Sequence, residues 1–370
     1  MNKITSFLLF SFLLSAFSTS SQSREILLAI VKIDGKWGYI DKNGKIAIKP
    51  QFEDAYPFQE GRARVRLGYN KYGYIDKSGN IVSNPQFEVG LLDSGDFQEG
   101  LARIKLGNKW GYIDKNGKIV IEPQFDYAYP FQEGLAAIKL GNVWGYIDKS
   151  GEIAINPQFY RAWDFQEGLA SIQLGNVWGY IDKSGEIAIN PQFEKAYPFQ
   201  EGRARVRLGY KYGYIDKSGK VVIKPQFEDA GSFQEGLAQI KLGGKWGYIN
   251  KTGKIAINPQ FEDARVFQEG LARIKLGDKW GYIDKTGKIA INPQFDYARV
   301  FQEGLATIKL GHKYGYIDKN GNIAINPQFE YAGDFKEGLA SIQLDGKYGY
   351  IDKTGKMEIN PQFQNAGDFN

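Results

Sequence analysis

Lys109-Trp110-Gly111-Tyr112-Ile113-Asp114-Lys115-Asn116-Gly117 is the stretch whose reading decides the fold. Trp110 and Tyr112 fall on one face of an extended chain, Gly111 and Ile113 on the other, the period-two pattern of a strand. A glycine inside a strand weakens it unless something approaches closely. Gly111 therefore implies a neighbouring ring or backbone lying over it. Lys115-Asn116-Gly117 supplies the next turn, with glycine as the left-handed residue of a bulged hairpin.

Working outward, residues 101–106 alternate as well, with Ala102, Ile104 and Leu106 on one face and Leu101, Arg103 and Lys105 on the other. Gly107-Asn108 is the tight turn that joins this strand to the quoted one. On the other side, 118–121 returns as a third strand, and Pro123 ends it because proline cannot donate to a ladder. Phe125, Ala128 and Phe131 then recur at spacing three, which predicts a compact irregular or single-turn connector tucking aromatics between units. The unit is a three-stranded antiparallel meander plus a packed connector.

The tetrad aromatic-Gly-Tyr-Ile recurs ten times, its first ring at Trp37, Tyr72, Trp110, Trp144, Trp178, Tyr212, Trp246, Trp280, Tyr314 and Tyr348, a period of 34 residues broken by two small insertions. Units of this length bury their apolar faces only against one another. The fold expected over residues 24–370 is an all-β tandem array of ten three-stranded units, open and elongated like a solenoid. A closed propeller-like ring is the alternative. The pattern starts at Ile26 and stops at Asn370 just before another Glu-Gly, which reads as whole units at both ends. The final connector, 361–369, is more polar at Gln364 and Asn365 and reads as a cap.

Lys36-Trp37-Gly38-Tyr39-Ile40-Asp41 and Lys109-Trp110-Gly111-Tyr112-Ile113-Asp114, each followed by Lys-x-Gly and later by Pro-Gln-Phe, resemble the WG (or KWG) repeat family. The resemblance covers nearly all of 26–370. It implies a β-rich, mostly bacterial repeat protein and brings no catalytic residues. Tyr72, Tyr212, Tyr314 and Tyr348 depart from the family's tryptophan, so the position asks for an aromatic ring in general. A looser, compositional likeness to choline- and glucan-binding repeats suggests aromatic pockets between hairpins.

The first segment has another character. Lys3 precedes a largely apolar run over 4–17, and 18–23 is small and polar. That order predicts a secretory signal peptide over residues 1–23, with an uncleaved anchor as the alternative, and export to the periplasm, cell surface or medium. No later stretch is apolar enough to span a membrane. The chain has no cysteine, which excludes disulfides, thiolate metal sites and a cysteine nucleophile. A formal charge of +5 spread along the repeats is short of a nucleic-acid footprint.

Catalysis finds little footing. His312 is the single histidine and sits in a turn, and repeated acids such as Glu99, Asp114 and Glu133 read as turn and edge residues. Asp41-Lys42-Asn43-Gly44 and its copies begin like a calcium loop but place Lys second, so they read as hairpin turns. The expectation is a non-catalytic protein without metal or cofactor. The ten ladder aromatics read as filling between units, with sugar or cation stacking as the alternative. Two features stand out as binding candidates. Arg62, Arg64 and Arg66, repeated as Arg203, Arg205 and Arg207, alternate along a strand and could grip phosphate or carboxylate groups. Trp163 breaks the repeat in a connector. Residues 140–159 and 174–193 are identical, which suits linked, interchangeable sites. The function expected is a multivalent surface for another protein or an envelope polysaccharide. A carbohydrate-binding module using aromatics between repeats is the alternative.

Overall fold

A computed structural model describes residues 26–68, 71–88 and 95–370, and the regular elements there are all β-strands. The segment read as a signal peptide lies outside the described residues. The three strands of the meander form as expected: in the third unit they are Leu101–Leu106, Lys109–Asp114 and Ile119–Phe125. The third strand runs through Pro123 to Phe125, where the sequence suggested that proline ends it. The strand tolerates proline because it is an outer edge, where one face of the backbone needs no partner. A proline at the same place in every unit also blunts the edge against pairing with other chains.

The connector differs from expectation in a way that changes the architecture. It is a fourth strand, short in most units (Tyr127–Ala128) and longer in others (Lys195–Gln200, Asp263–Gln268). It pairs antiparallel with the strand that follows it, as Tyr127 with Lys139 and Ala128 with Ile138. Blade four, for example, is ordered Tyr127–Ala128, Leu135–Leu140, Val143–Asp148, Ile153–Phe159. The spacing of Phe125, Ala128 and Phe131 comes from an outer strand ending, a one-residue link and a new strand beginning. It does not reflect a helical turn.

The last connector corrects the open array and its cap together. Asn365–Phe369 pairs with Ala29–Ile33, so the end of the chain completes the first blade, in the order Ile46–Phe52, Lys36–Ile40, Ala29–Ile33, Asn365–Phe369. The ten small sheets therefore close into a ten-bladed propeller ring, the form read as the alternative. In nine blades the short strand is innermost, and among the described residues blade three has the other three strands. The short strand lies against the second strand of the blade before it, as Asp263–Gln268 against Leu237–Leu242.

Blades adhere through one repeated core. Trp110, Tyr112, Ile121 and Phe125 of blade three pack on Ala128, Phe131, Ala136, Ile138 and Ile147 of blade four. The second ring of each tetrad is the anchor. Tyr112 is fully buried, and its hydroxyl donates to the Tyr129 carbonyl on the next blade's inner strand at 2.7 Å. The other nine tetrad tyrosines do the same, including Tyr350 to the Gly367 carbonyl across the closure at 2.6 Å.

Gly111 meets the need read from the sequence. Ile121 pairs with Tyr112 and Phe125 with Trp110, so the outer strand holds extra residues in a bulge that folds over the glycine. At the equivalent Gly179, an added Cβ would stand 2.5 Å from the Ile189 carbonyl oxygen and 2.6 Å from the Pro191 nitrogen. Backbone cannot move aside as a flexible side chain can. Gly179→Ala is expected to cost about 1–3 kcal/mol and to lower the urea midpoint. Gly175→Ala, in an open turn at φ +58, meets no neighbouring atom and carries only left-handed backbone strain, about 1 kcal/mol, so the larger loss is expected at Gly179. Equal losses in the two variants would refute the bulge as the reason for the glycine.

Candidate functional site

Because each blade runs up and down, its turns emerge on two opposite faces of the ring. One face carries the Gln-Glu-Gly turns and the Asp-Lys-x-Gly turns. The other carries the turns between second and third strands and the links into the next blade.

On the first face the repeated polar residues are consumed in joining blades. Glu99 has φ +53, a left-handed conformation that non-glycine residues rarely adopt. Its carboxylate accepts from the backbone nitrogens of Glu133 and Gly134 in the next blade's turn, at 2.6 and 3.0 Å. Lys149 closes on the same carboxylate at 3.1 Å. Burial alone would raise the Glu99 carboxyl, but Lys149 and the two backbone donors outweigh it and hold the group below its ordinary range. The motif repeats around the ring, and across the closure Lys42 Nζ reaches the Glu337 carbonyl at 2.6 Å. The Asp-Lys-x-Gly turn is thus a hairpin, as read. Asp41 Oδ1 accepts from the Asn43 and Lys45 nitrogens, and lysine occupies the second place because it reaches the blade before.

The arginine stripes are placed differently from a comb facing solvent. Arg64 is buried, its guanidinium 3.8 Å from the Tyr56 ring centre and 5.2 Å from that of Tyr72. Arg205 repeats this on Tyr197 and Tyr212. Arg62 donates to the Lys115 carbonyl and Arg66 pairs with Glu53 at 3.4 Å. Arg203 donates to the Gly202 carbonyl and Arg207 pairs with Glu194 at 3.0 Å. The two stripes lie in blades two and six, and the three arginines of each are spread from one face to the other. Each guanidinium has contacts within the chain.

The ladder aromatics stand near the second face, at the start of each third strand. Trp110 and Trp178 are buried, and Trp37, Tyr72, Trp144, Tyr212, Trp246, Trp280, Tyr314 and Tyr348 are half-buried. They seal the inter-blade core at that end. His312 is exposed in a turn of this face.

Trp163 stands with Trp144 and Tyr160 on the same side. It is 43% exposed and forms a wall shared by two adjoining clefts. One, of about 640 Å³ between blades four and five, is lined by Tyr129, Lys139, Asn142, Trp144, Tyr160 and Arg161. The other, of about 520 Å³ between blades five and six, is lined by Tyr160, Arg161, Gln173, Trp178, Lys195 and Tyr197. Sequence reasoning singled out Trp163 but missed Ala137, Ser171, Tyr160 and Arg161. The signal was available: the second-strand position that is arginine in four blades (Arg64, Arg103, Arg205, Arg273), and Ile30, Gln239, Thr307 or Ser341 in the other four, is Ala137 and Ser171 here. Where arginine is present, its guanidinium lies over the ring, as Arg103 and Arg273 do on Trp110 and Trp280. In blades four and five that internal cation is gone.

The same substitution leaves a buried acid without its usual neighbour. Asp334 accepts from Thr307 Oγ1 at 3.2 Å and pairs with Arg299 at 3.1 Å. Asp164 occupies the equivalent place on blade five, but the blade before it offers only Ala137. Among the described residues its Oδ1 has no hydrogen-bond partner. Burial pushes the Asp164 carboxyl up to about 6, only partly opposed by Arg103.

A closed ring of ten small antiparallel sheets, with frame residues on one face and open clefts on the other, defines a repeat β-propeller. The WG containing repeat model matches ten times, over 37–71, 72–110, 110–144, 144–178, 178–212, 212–246, 246–280, 280–314, 314–348 and 348–370, and the chain belongs to that family. No curated protein matches. Solved structures similar in shape include a eukaryotic initiation factor (11% identity, TM-score 0.49, covering 83% of this chain and 98% of the other). Apo AztD from Citrobacter koseri (12%, 0.37, 92% and 96%) and the designed Ika8 protein (7%, 0.39, 69% and 94%) are also similar. All three are too distant to bear on function. Among the described residues, no helix is long and apolar enough to cross a membrane.

Asp164 gives a pH signature. Its folded value of about 6 exceeds the ordinary 3.8, so the fold holds a proton that the unfolded chain releases. The contribution of this group to stability should be full below about pH 4 and be lost as pH rises through about 6. Asp164→Asn should remove that loss and gain on the order of 1–3 kcal/mol at pH 8, read by urea unfolding across pH. A variant that tracks the parent at every pH would show that Asp164 is satisfied.

Proposed function

We propose that the protein is an exported, non-catalytic scaffold that presents one face of the ring to another protein or to a cell-envelope polymer. One observation carries this reading. The polar residues shared by nearly all blades, such as Glu99, Asp148, Lys149 and Tyr146, bond to their own turn or to the adjoining blade. Recognition therefore falls to positions that differ between blades, and these gather on the face of the second-to-third-strand turns. Export rests on the order of the first segment, a charged start, an apolar run and a small polar stretch. Repeat propellers suit protein interaction because a rigid frame carries variable surface at little conformational cost. A second reading, carbohydrate binding between blades, is favoured by the two clefts that flank Trp163.

The test is retention of the whole mature ring on cell-wall glycan, on deproteinised membrane and on native envelope, together with photo-crosslinking in intact cells from positions on each face. Crosslinks or retention through the cleft face are expected, weakening with salt if charge contributes. Partners captured only through the opposite face would overturn the assignment of surface. No retention and no crosslink on either face would overturn the scaffold reading itself.

A further inference from the structure

Blades four to six depart from the repeat at several places that meet in space. Eight blades begin the third strand with lysine, and in four of them it pairs with the acid that links to the next blade, as Lys109 with Asp126 at 2.6 Å. Blades four and five have Val143 and Val177 instead, and the link after blade four is Tyr160 where other links are Glu, Asp or Gln. The first residue of the inner strand is acidic (Asp54, Asp229, Asp263) or neutral (Tyr127, Tyr297, Tyr331, Asn365) in other blades, but Arg161 and Lys195 here. The second-strand position that carries arginine in four blades is Ala137 and Ser171. Each change does one of three things: it removes a charged latch, uncovers a ring, or adds a cation.

The outcome is two like clefts side by side. Tyr129 and Trp144 stack at 5.3 Å between centres, and Trp163 stands 6.3 Å from Tyr129. Trp178 and Tyr197 form the far side of the second cleft. Tyr160, 58% exposed, and Trp163 make the ridge between them. Among the described residues Lys139, Arg161 and Lys195 form no ion pair, whereas the one acid lining the clefts, Glu194, is taken up by Arg207 and by the Gly209 nitrogen at 2.8 Å. The uncommitted charge in both clefts is therefore positive. Asn142 and Gln173 add amides that can both donate and accept.

Two features choose among ligands. The backbone nitrogens that flank the clefts are turned into their own blade, with Tyr160 N to Gln173 O at 2.9 Å and Trp163 N to Ser171 O at 3.1 Å, so these groups are not offered to a peptide strand. Recognition must come from ring faces and polar tips, the groups that stack on pyranose rings and bond their hydroxyls. Neighbouring sheets pack about 10 Å apart, so successive clefts follow the advance of a linear sugar chain. We propose that the paired clefts of blades four to six bind a carboxylated glycan, with sugar rings against Trp144, Tyr160 and Trp163 and a carboxylate on Arg161 between them. Guanidinium suits that place because its planar fork matches a carboxylate with two parallel bonds. The proposal rests on the scaffold reading and names the chemistry of one of its partners.

The test is titration of the full mature ring with an oligogalacturonate and with the same oligomer methyl-esterified, followed by tryptophan fluorescence and calorimetry. The acid form is expected to bind at least about tenfold more tightly than the neutral ester, about 1.4 kcal/mol, and to weaken with salt. Trp163→Ala and Arg161→Gln should each weaken it about tenfold or more, a further 1.4 kcal/mol or more, at unchanged thermal midpoint. Tyr160→Ala, a surface change, should weaken it without touching the core. Equal affinity for the ester would overturn the carboxylate assignment. Indifference to Trp163→Ala would overturn the site. Binding of an acidic, tyrosine-bearing peptide with these sensitivities while the glycan fails would assign the clefts to a protein partner and end the proposal. Glycan failure with cleft-face crosslinks intact leaves the scaffold reading standing, whereas loss of both ends the two together.

Discussion

The ring depends on a hydroxyl that leaves its own sheet. In each tetrad the second ring is buried at the blade interface, and its oxygen donates to a carbonyl on the next blade's inner strand. A phenol taken out of water without a partner would cost free energy, so burial and bond must form together. Burial holds these tyrosines well above their ordinary value, and they stay protonated donors. The bond also fixes how far one blade turns relative to the next. Ten equal rotations then bring the last inner strand, Asn365–Phe369, alongside Ala29–Ile33.

Glycine and glutamate complete that constraint from within and from the rim. The glycine between the two rings lets the outer strand bulge inward until backbone touches backbone, which sets the shape of the face that receives the neighbour. At the rim, glutamate accepts a left-handed backbone because its carboxylate binds the next turn and the next lysine. Those ion pairs are largely exposed, and each contributes little alone. Their value is in direction: each links a blade only to its successor.

A frame made of shared residues explains where function can reside. Changing the shared residues breaks the blade contact, so variation is tolerated at inner-strand starts, links and second-strand positions. In most of the ring those positions still make internal contacts, as when Arg64 covers Tyr56 and Tyr72. In blades four and five the small side chains Ala137 and Ser171 leave clefts open on either side of Trp163. The two identical stretches, 140–159 and 174–193, supply matching walls to the two clefts.

The sequence by itself determined the strands, their turns, the ten-fold period, the family and the close approach over Gly111. These follow from alternation, glycine chemistry and spacing, which act within a few residues. It also marked Trp163 as out of pattern. Only the tertiary structure decided that the connector is a strand, that the ring closes, and that Arg64 and Arg205 turn inward onto rings while Trp163 opens outward. Closure depends on a small rotation repeated ten times, and cleft opening depends on a side chain contributed by an adjoining strand. Both arise from packing between sheets, whose angle and occupancy no single repeat contains.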